Sequence, residues 1–244
     1  MTYKKLIEGF RLFKQDYFES GKSDFYQNLV EHGQKPDTLV IACSDSRIDP
    51  AILTNGDPGE FFAIRNVAAL VPPYNCGENL QGTSSAIEYA VRFLNVKHII
   101  VFGHAKCGGI EALASGNYQA PDQKKFQFME PWLNIGLKAK QQVFKVLDAE
   151  PLEEKIRALE QATIINSMAN LLSFPWIKER CARQAIEIHG WYFDMASGEL
   201  LEYNQNQQGF LNIDDDINKT NLLEGKPSLS AFIKNYAHKC CSGK

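Results

Sequence analysis

Two short apolar runs constrain the fold of this chain more than any other feature. Residues 38–43 have the sequence TLVIAC and residues 98–103 have the sequence HIIVFG. Short, β-branched apolar runs of this kind are typical of strands covered on both faces, as in a parallel sheet. The carboxyl ends of parallel strands share one edge of the sheet, where α/β proteins place their ligands. We therefore expect the residues that end and follow the two runs to lie side by side.

The rest of the chain alternates between strand and helix patterns. This alternation predicts an α/β fold with a central, mostly parallel β-sheet flanked by helices. An N-terminal helical arm and a C-terminal strand or hairpin extension complete the predicted architecture. Further strands are predicted at 59–65, 185–193 and 200–203, and helices at 83–94, 131–149, 153–172 and 228–236, with irregular chain over 204–226.

No second domain boundary is evident in the sequence, so we expect a single domain over residues 1–244. Within it, residues 1–35 form the arm, 36–203 the α/β core and 204–244 the C-terminal extension. The arm reads as two helices so rich in aromatic side chains that it packs either on its own domain or on a second subunit.

Charge and hydropathy narrow the classes of partner. The net charge of -3 argues against general binding to nucleic acid or to an acidic membrane surface. No apolar run approaches the roughly 20 residues that span a bilayer, and the first residues lack the features of a secretory signal. We expect a cytoplasmic protein without nucleic-acid or membrane partners. Its six cysteines are too sparse for a disulfide scaffold: Cys43, Cys76, Cys107, Cys181, Cys240 and Cys241.

Three residues near the ends of the two runs are potential metal ligands. Cys43 ends the first run, and His104 and Cys107 lie three residues apart in a turn after the second. Zinc takes thiolate and imidazole ligands, and three protein ligands with a fourth position left open are typical of a catalytic site. Ordinary alternatives exist, since cysteines are often just buried small side chains. A glycine-rich phosphate turn at 103–109 is a further alternative, although neither standard phosphate-binding motif is present.

A carboxylate and a guanidinium follow the first of these cysteines. Asp45 can accept a hydrogen bond from metal-bound water or take the fourth position itself, and Arg47 can hold Asp45 ionised and oriented. The alternative is an ordinary ion pair at a helix start. That alternative does not explain why the pair begins beside a potential metal ligand.

The order of these residues resembles the signature of the β-class carbonic anhydrases. It consists of Cys43-x-Asp45-x-Arg47 followed by His104-x-x-Cys107-Gly108-Gly109. The likeness covers at least residues 34–110. It extends through Pro58-Gly59-Glu60, Arg65-Asn66-Val67-Ala68, Pro72-Pro73-Tyr74 and Ile87-Glu88-Tyr89.

The resemblance implies an enzyme, a zinc lyase that reversibly hydrates carbon dioxide to bicarbonate and a proton through zinc-bound hydroxide. It also implies one Zn²⁺ per subunit and a homodimer or dimer of dimers. Cys43, His104 and Cys107 would bind the zinc, and Asp45 with Arg47 would form the activating dyad. The implied substrate-pocket residues are Gln34, Phe62 and Tyr89 of the plant-like branch, together with the amide of Gly108.

One departure bears on regulation. Some members of the family carry a tryptophan three residues before the first zinc cysteine, as part of a regulatory bicarbonate pocket, and this chain has Val40 there. We therefore expect no bicarbonate-locked inactive state, although Arg65 matches the basic member of that pocket. Two alternatives to carbon dioxide hydration stay open: hydrolysis of carbon disulfide or carbonyl sulfide on the same fold, and a zinc-binding protein without catalysis.

Overall fold

The computed structural model describes residues 2–19, 23–75, 81–118 and 126–214. Its centre is a six-stranded sheet in the order β2-β1-β3-β4-β5-β6, in which the first four strands are parallel and the last two antiparallel to their neighbours. The predicted mostly parallel sheet is thus confirmed. The strands are β1 (Thr38–Cys43), β2 (Phe61–Asn66), β3 (His98–His104), β4 (Glu187–Asp194), β5 (Glu199–Asn204) and β6 (Gly209–Asn212).

The two apolar runs form neighbouring central strands. Every residue of β1 after Thr38 and every residue of β3 after His98 is buried, which is why neither run alternates with polar residues. Cys43 lies opposite Asn66 of β2, and β3 continues to His104. The carboxyl ends of β1, β2 and β3 therefore meet at one edge of the sheet.

Helices flank the sheet, and the longest, α8, packs against β3 and β4. Gly103 and Gly190 permit this approach, because a Cβ atom on either would come within 3.0 Å of the Ile164 side chain. The helices are α1 (Tyr3–Lys14), α2 (Ser23–His32), α3 (Pro50–Thr54), α4 (Gly82–Glu88), α5 (Gly108–Ser115), α6 (Met129–Leu133), α7 (Leu137–Val146), α8 (Leu152–Leu171) and α9 (Pro175–Ala182). None of these described helices is long and apolar enough to cross a membrane.

The structure differs from the sequence expectations in several elements. The helix predicted over 131–149 is two helices, α6 and α7, joined by a 3₁₀ turn at Asn134–Gly136. The Gly136 backbone lies so close to α5 and α8 that a Cβ atom there would come within 2.7 Å of Leu113. Helices α3, α5 and α9 were not predicted.

The sheet also continues past residue 203, where the core was expected to end. Strand β6 lies within the stretch predicted as irregular, and it pairs Phe210 with Tyr203 of β5. Four residues give too short a pattern to read, but Phe210 is fully buried. The predicted helix at 228–236 lies outside the described residues, and so do three of the cysteines: Cys76, Cys240 and Cys241.

Candidate metal centre and active site

Three buried side chains converge at the edge where β1 and β3 end. Cys43 ends β1, His104 ends β3, and Cys107 stands immediately before α5. Their sulfur and imidazole ligand atoms all lie within 4.8 Å of one another. The structure therefore brings together residues 61 and 64 positions apart, as the parallel-sheet argument predicted.

The orientation of the His104 ring is fixed by the backbone. Its Nδ1 lies 2.9 Å from the carbonyl oxygen of Ala105 and donates a hydrogen bond to it. The proton is then on Nδ1, and Nε2 carries the lone pair. Nε2 is buried and has no hydrogen-bond partner among the described residues. An imidazole held in this way is typical of a metal ligand.

The two thiols influence each other's ionisation. Their sulfur atoms are 3.9 Å apart. The pKa of Cys43 is lowered to about 4, chiefly because Cys107 shares a hydrogen bond with it, and burial opposes this effect. The pKa of Cys107 is raised by the same hydrogen bond and by burial. The pair therefore loses one proton easily, and a second thiolate at this distance requires a compensating cation.

Zinc fits this group of residues. With Zn–S bonds of about 2.3 Å, tetrahedral geometry sets two thiolate ligands roughly 3.8 Å apart, close to the 3.9 Å observed. Two thiolates and one imidazole are also ligands that zinc prefers. The buried nitrogen without a partner completes a three-ligand set with one position left for water.

Asp45 and Arg47 form a two-pronged pair beside this cluster. Arg47 donates from Nε to Oδ1 at 2.9 Å and from Nη2 to Oδ2 at 2.7 Å. These hydrogen bonds hold the pKa of Asp45 well below its usual range. Asp45 Oδ2 lies 3.9 Å from His104 Nε2. An ionised carboxylate is therefore fixed next to the imidazole lone pair.

Arg47 also joins the two halves of the site. Its Nη2 donates to the carbonyl oxygen of Lys106 at 3.0 Å. Lys106 adopts a left-handed conformation with φ of 56°, so the turn that carries Cys107 is held in an unusual shape. The first motif thus supports the backbone of the second.

Arg65 stabilises the turn that carries Asp45. It donates to the carbonyl oxygens of Cys43, Asp45 and Ile48 at 3.1, 2.7 and 2.8 Å, and to the Asp49 carboxylate at 2.8 Å. Only a guanidinium offers this many donors in a fixed plane. Arg65 therefore determines the shape of the 43–49 loop.

The segment after β2 forms the floor of the site in a strained conformation. Ala68 and Ala69 are buried and left-handed, with φ of 65° and 51°. The Asn66 side chain brackets the turn by accepting from the Leu70 amide and donating to its carbonyl oxygen. The Ala68 amide donates to the Cys43 sulfur, which favours the thiolate. A Cβ atom on Gly109 would lie 3.1 Å from that of Ala68, so the segment after β2 is in close contact with the start of α5.

A buried carboxylate supports the site from behind. Glu160 on α8 accepts from the Cys107 amide at 3.1 Å and from the Tyr192 hydroxyl at 2.8 Å. Burial raises the pKa of Glu160, and the two hydrogen bonds act in the opposite direction. The backbone of Cys107 is therefore fixed from α8 and β4 as well as from Arg47.

Comparison with known proteins agrees with this geometry. The family model described as carbonic anhydrase matches residues 38–200. A carbonic anhydrase of Synechococcus elongatus is 32% identical over 87% of this chain and 75% of its own. The solved β-carbonic anhydrase CcaA has a TM-score of 0.78 at 33% identity, over 86% of this chain and 98% of its own. A tetrameric β-carbonic anhydrase of Sordaria macrospora has a TM-score of 0.71 at 28% identity, over 82% and 95%.

This chain is a β-class carbonic anhydrase by family. Members of the β class use zinc, and the cluster of two thiols and one imidazole is able to bind that metal. Gly108 lies beside the cluster as the first residue of α5, where backbone N–H groups lack helical partners. A Cβ atom on Gly108 would meet nothing within 4 Å, so there is open space beside this residue.

The other three residues that the resemblance assigned to the substrate pocket lie elsewhere in the chain. Phe62 and Tyr89 contact each other, with ring centroids 5.7 Å apart. Phe62 is at the start of β2, four residues or about 13 Å before the position opposite Cys43. Gln34 is exposed in the loop before β1, at the same distant end. Within one chain of this carbonic anhydrase, these three residues therefore do not line the metal cluster.

Sequence reasoning missed two residues that hold the site together. Arg65 was noted only as part of a regulatory pattern, whereas it supports the 43–49 loop. Glu160 was not noticed at all. The only sequence signal is that Glu160 is a charged residue within a mostly apolar stretch of the predicted helix. The structure shows that residues 158–168 are all buried, and a buried carboxylate needs partners.

Proposed function

We propose that this protein catalyses the zinc-dependent, reversible hydration of carbon dioxide to bicarbonate and a proton. One observation carries the proposal: an ionised Asp45, held by Arg47, lies beside a buried cluster of two thiols and one imidazole. A zinc-binding protein without catalysis would not need that carboxylate. The family of its relatives points to the same reaction.

Cys43, His104 and Cys107 would hold the metal. Zinc bound there would act as a Lewis acid that brings the pKa of a coordinated water towards neutrality. The protein supplies the enclosure, because all three ligand side chains are buried. Glu160 and Arg65 keep those side chains in place through hydrogen bonds to the backbones of Cys107 and Cys43, as outer residues do in metal sites generally.

Asp45 orients the nucleophile and does not act as its base. Its pKa is held well below the usual range by Arg47, so Asp45 takes up almost no proton near neutral pH. An ionised carboxylate accepts hydrogen bonds only. Asp45 would therefore accept a hydrogen bond from a water molecule held beside the cluster and fix the orientation of that water towards carbon dioxide. The amide of Gly108, the first residue of α5, would donate to the product.

The pocket is completed by a second copy of the chain. Gln34, Phe62 and Tyr89 are too far along the sheet to line their own metal centre, and Tyr89 and Phe93 are 40% and 72% exposed. Carbon dioxide is small and apolar, so aromatic side chains suit its binding. We place these three residues in the pocket of the partner subunit, which makes the active unit a homodimer, alone or as a dimer of dimers.

The N-terminal arm favours the same assembly. Helix α1 contains no buried residue, and its side chains Tyr3, Leu6 and Phe10 are each more than half exposed. An apolar surface of this kind is typical of a protein interface. The arm precedes β1 directly, so a partner bound there would lie near Gln34.

Complementation in mixed dimers tests this arrangement. One subunit carries Asp45→Asn and an intact Tyr89, and the other carries Tyr89→Ala and an intact Asp45. If pocket residues act across the interface, a mixed dimer has one complete site. Random pairing should then restore roughly a quarter of the wild-type rate. Activity no higher than the mean of the two parent variants would place Tyr89 in its own subunit's pocket.

The reaction itself is tested by zinc content and gas turnover on one sample. We expect one zinc per subunit in the catalytic centre and rapid carbon dioxide hydration in stopped flow. Faster turnover of carbonyl sulfide or carbon disulfide would favour the hydrolase alternative, and a metallated protein without turnover of any of these gases would favour a non-catalytic role. We also propose a cytoplasmic location, because thiolate ligands persist best in a reducing compartment.

A further inference from the structure

A second group of metal-binding side chains lies at the opposite edge of the same sheet. His98 begins β3 and lies opposite Glu187, which begins β4. His189 follows two residues along β4, so its side chain is on the same face as that of Glu187. Since β3 has His98 at one end and His104 at the other, about 20 Å separates this group from the active site.

The three ligand atoms form a triangle of the right size for a transition metal. His98 Nδ1 is 3.2 Å from His189 Nε2, and Glu187 Oε2 is 3.8 Å from each nitrogen. A triangle with these sides has a point about 2.1 Å from all three corners, which equals the length of Zn–N and Zn–O bonds. A hydrogen bond between the two rings would account for the shortest side only, because 3.8 Å is too long for one.

An outer carboxylate orients one of the rings. His189 Nδ1 donates to Glu202 Oε1 of β5 at 2.9 Å, which leaves the lone pair on Nε2, the corner of the triangle. The same hydrogen bond lowers the pKa of Glu202 and keeps it ionised. Metal-bound histidines generally donate their other N–H to a carboxylate in this way.

The surroundings favour a cation and leave it accessible. Glu187 and Glu202 give two carboxylates beside the two imidazole rings. The neighbouring Lys97 does not cancel their charge, because it is paired with Asp37 at 2.9 Å. The His98 and Glu187 side chains are 42% and 68% exposed. An ion could therefore enter from solvent and complete its coordination with water.

We propose that His98, Glu187 and His189, supported by Glu202, bind a second divalent transition-metal ion such as Zn²⁺, Co²⁺ or Ni²⁺. Two imidazoles and a carboxylate suit these ions better than Mg²⁺ or Ca²⁺. The ion links the first residues of β3 and β4, so it stabilises the folded chain in proportion to its occupancy. Neither this site nor its effect depends on the reaction proposed above.

Cobalt titration of the zinc-loaded protein tests the site. Equilibrium dialysis should show one additional Co²⁺ per chain, without the thiolate-to-cobalt absorption that exchange into the Cys43 and Cys107 centre would produce. His98→Ala and His189→Ala should each abolish this uptake. Glu202→Gln should weaken it by roughly 10- to 100-fold, as outer-carboxylate changes do. His32→Ala, which removes an exposed histidine from α2, should bind like the wild type.

Glu187→Gln distinguishes loss of a metal ligand from misfolding, because an exposed side chain can be substituted without disturbing the fold. It should weaken Co²⁺ binding at least tenfold with an unchanged circular dichroism spectrum. Absence of additional cobalt in the wild type would show that the two rings share only a proton, and would overturn the proposal. Uptake that persists in the His98→Ala, His189→Ala double variant would also overturn it.

Discussion

Each of the two edges of the central sheet carries three side chains able to bind a metal, in very different surroundings. At the carboxyl edge, Cys43, His104 and Cys107 are buried, and the backbone around them is held by Arg47, Arg65 and Glu160. At the amino edge, His98 and Glu187 are open to solvent, and a single carboxylate orients His189. Three converging ligand side chains alone therefore do not make a catalytic site. Enclosure and a fixed, ionised carboxylate at the open position make the carboxyl edge suited to chemistry.

The difference also predicts unequal affinities. Two thiolates 3.9 Å apart in a buried site would repel each other, so their double deprotonation is coupled to binding of a divalent cation. The exposed group competes with water for its ion and brings no thiolate. Zinc should consequently remain at the carboxyl edge during dialysis conditions that empty the amino edge.

The largest effect is expected from removing a ligand at the carboxyl edge, which is the enclosed edge of the two. Cys107→Ser should lose the catalytic zinc and with it all turnover, because two ligands remain and the hydroxyl is a poor replacement for a thiolate. Metal analysis after dialysis and stopped-flow hydration measure this. Cys181→Ser on α9 is the matched control and should keep both. A Cys107→Ser protein that retains its full zinc content would contradict the ligand assignment.

Asp45→Asn separates the carboxylate from the metal. The variant should keep its zinc, since the three ligands are unchanged, and lose roughly 10²-fold or more in kcat, because the nucleophile is no longer held in its productive orientation. Asp148→Asn, an exposed change between α7 and α8, is the control. Near-normal kcat in Asp45→Asn would remove Asp45 from the mechanism and make the two edges more alike than we propose.

Tyr192→Phe tests the support behind the enclosed edge. It removes the Tyr192 hydroxyl as a donor to the buried Glu160 carboxyl group, and leaving a buried polar group without a partner costs about 1–3 kcal/mol of unfolding free energy. Urea denaturation measures it. Tyr74→Phe, whose ring is 42% exposed, should change stability little. Equal stability in both variants would show that Glu160 has other support.

The smallest effect is expected at the amino edge, where the ligand side chains are open to solvent. Hydrogen bonding to His189 lowers the pKa of Glu202 from the ordinary 4.5. A carboxyl with a lowered folded-state pKa stabilises the protein above its unfolded pKa, and this contribution is lost as the pH falls through the lowered value. Glu202→Gln should therefore be less stable than the wild type at neutral pH, and the gap should close below pH 4.5. Thermal melts from pH 7 to 3 check this, and a gap that widens on acidification would contradict it.

Much of the enclosed edge was predictable because its ligands end apolar strands. The run that ends at Cys43 and the run before His104 each indicate a buried parallel strand, and the shared edge follows from that topology. The spacing of His104 and Cys107 then fits one ion. The sequence also predicted the Asp45 and Arg47 pair, because a single residue separates them within one turn.

Contacts between distant elements were not predictable. Glu160 reaches Cys107 from a helix 53 residues away, and nothing in its local pattern reveals the register of α8 on the sheet. The His98 and Glu187 pairing depends in the same way on strand register across 89 residues. Helices α3, α5 and α9 have at most eight residues each, too few for an apolar stripe to repeat.

The contact between Gly109 and Ala68 has a practical consequence for anyone who randomises this site. One position has no side chain and the other has a single methyl group in a left-handed backbone, yet the space between them is already filled. A library that varies either position will mostly yield misassembled proteins. Changing Ala68 to glycine to make room at Gly109 does not suffice, because a Cβ atom on Gly109 would still lie 2.9 Å from the Val67 side chain. Diversity is better directed to Gly108, where a Cβ atom would meet nothing within 4 Å, and to the exposed aromatic positions.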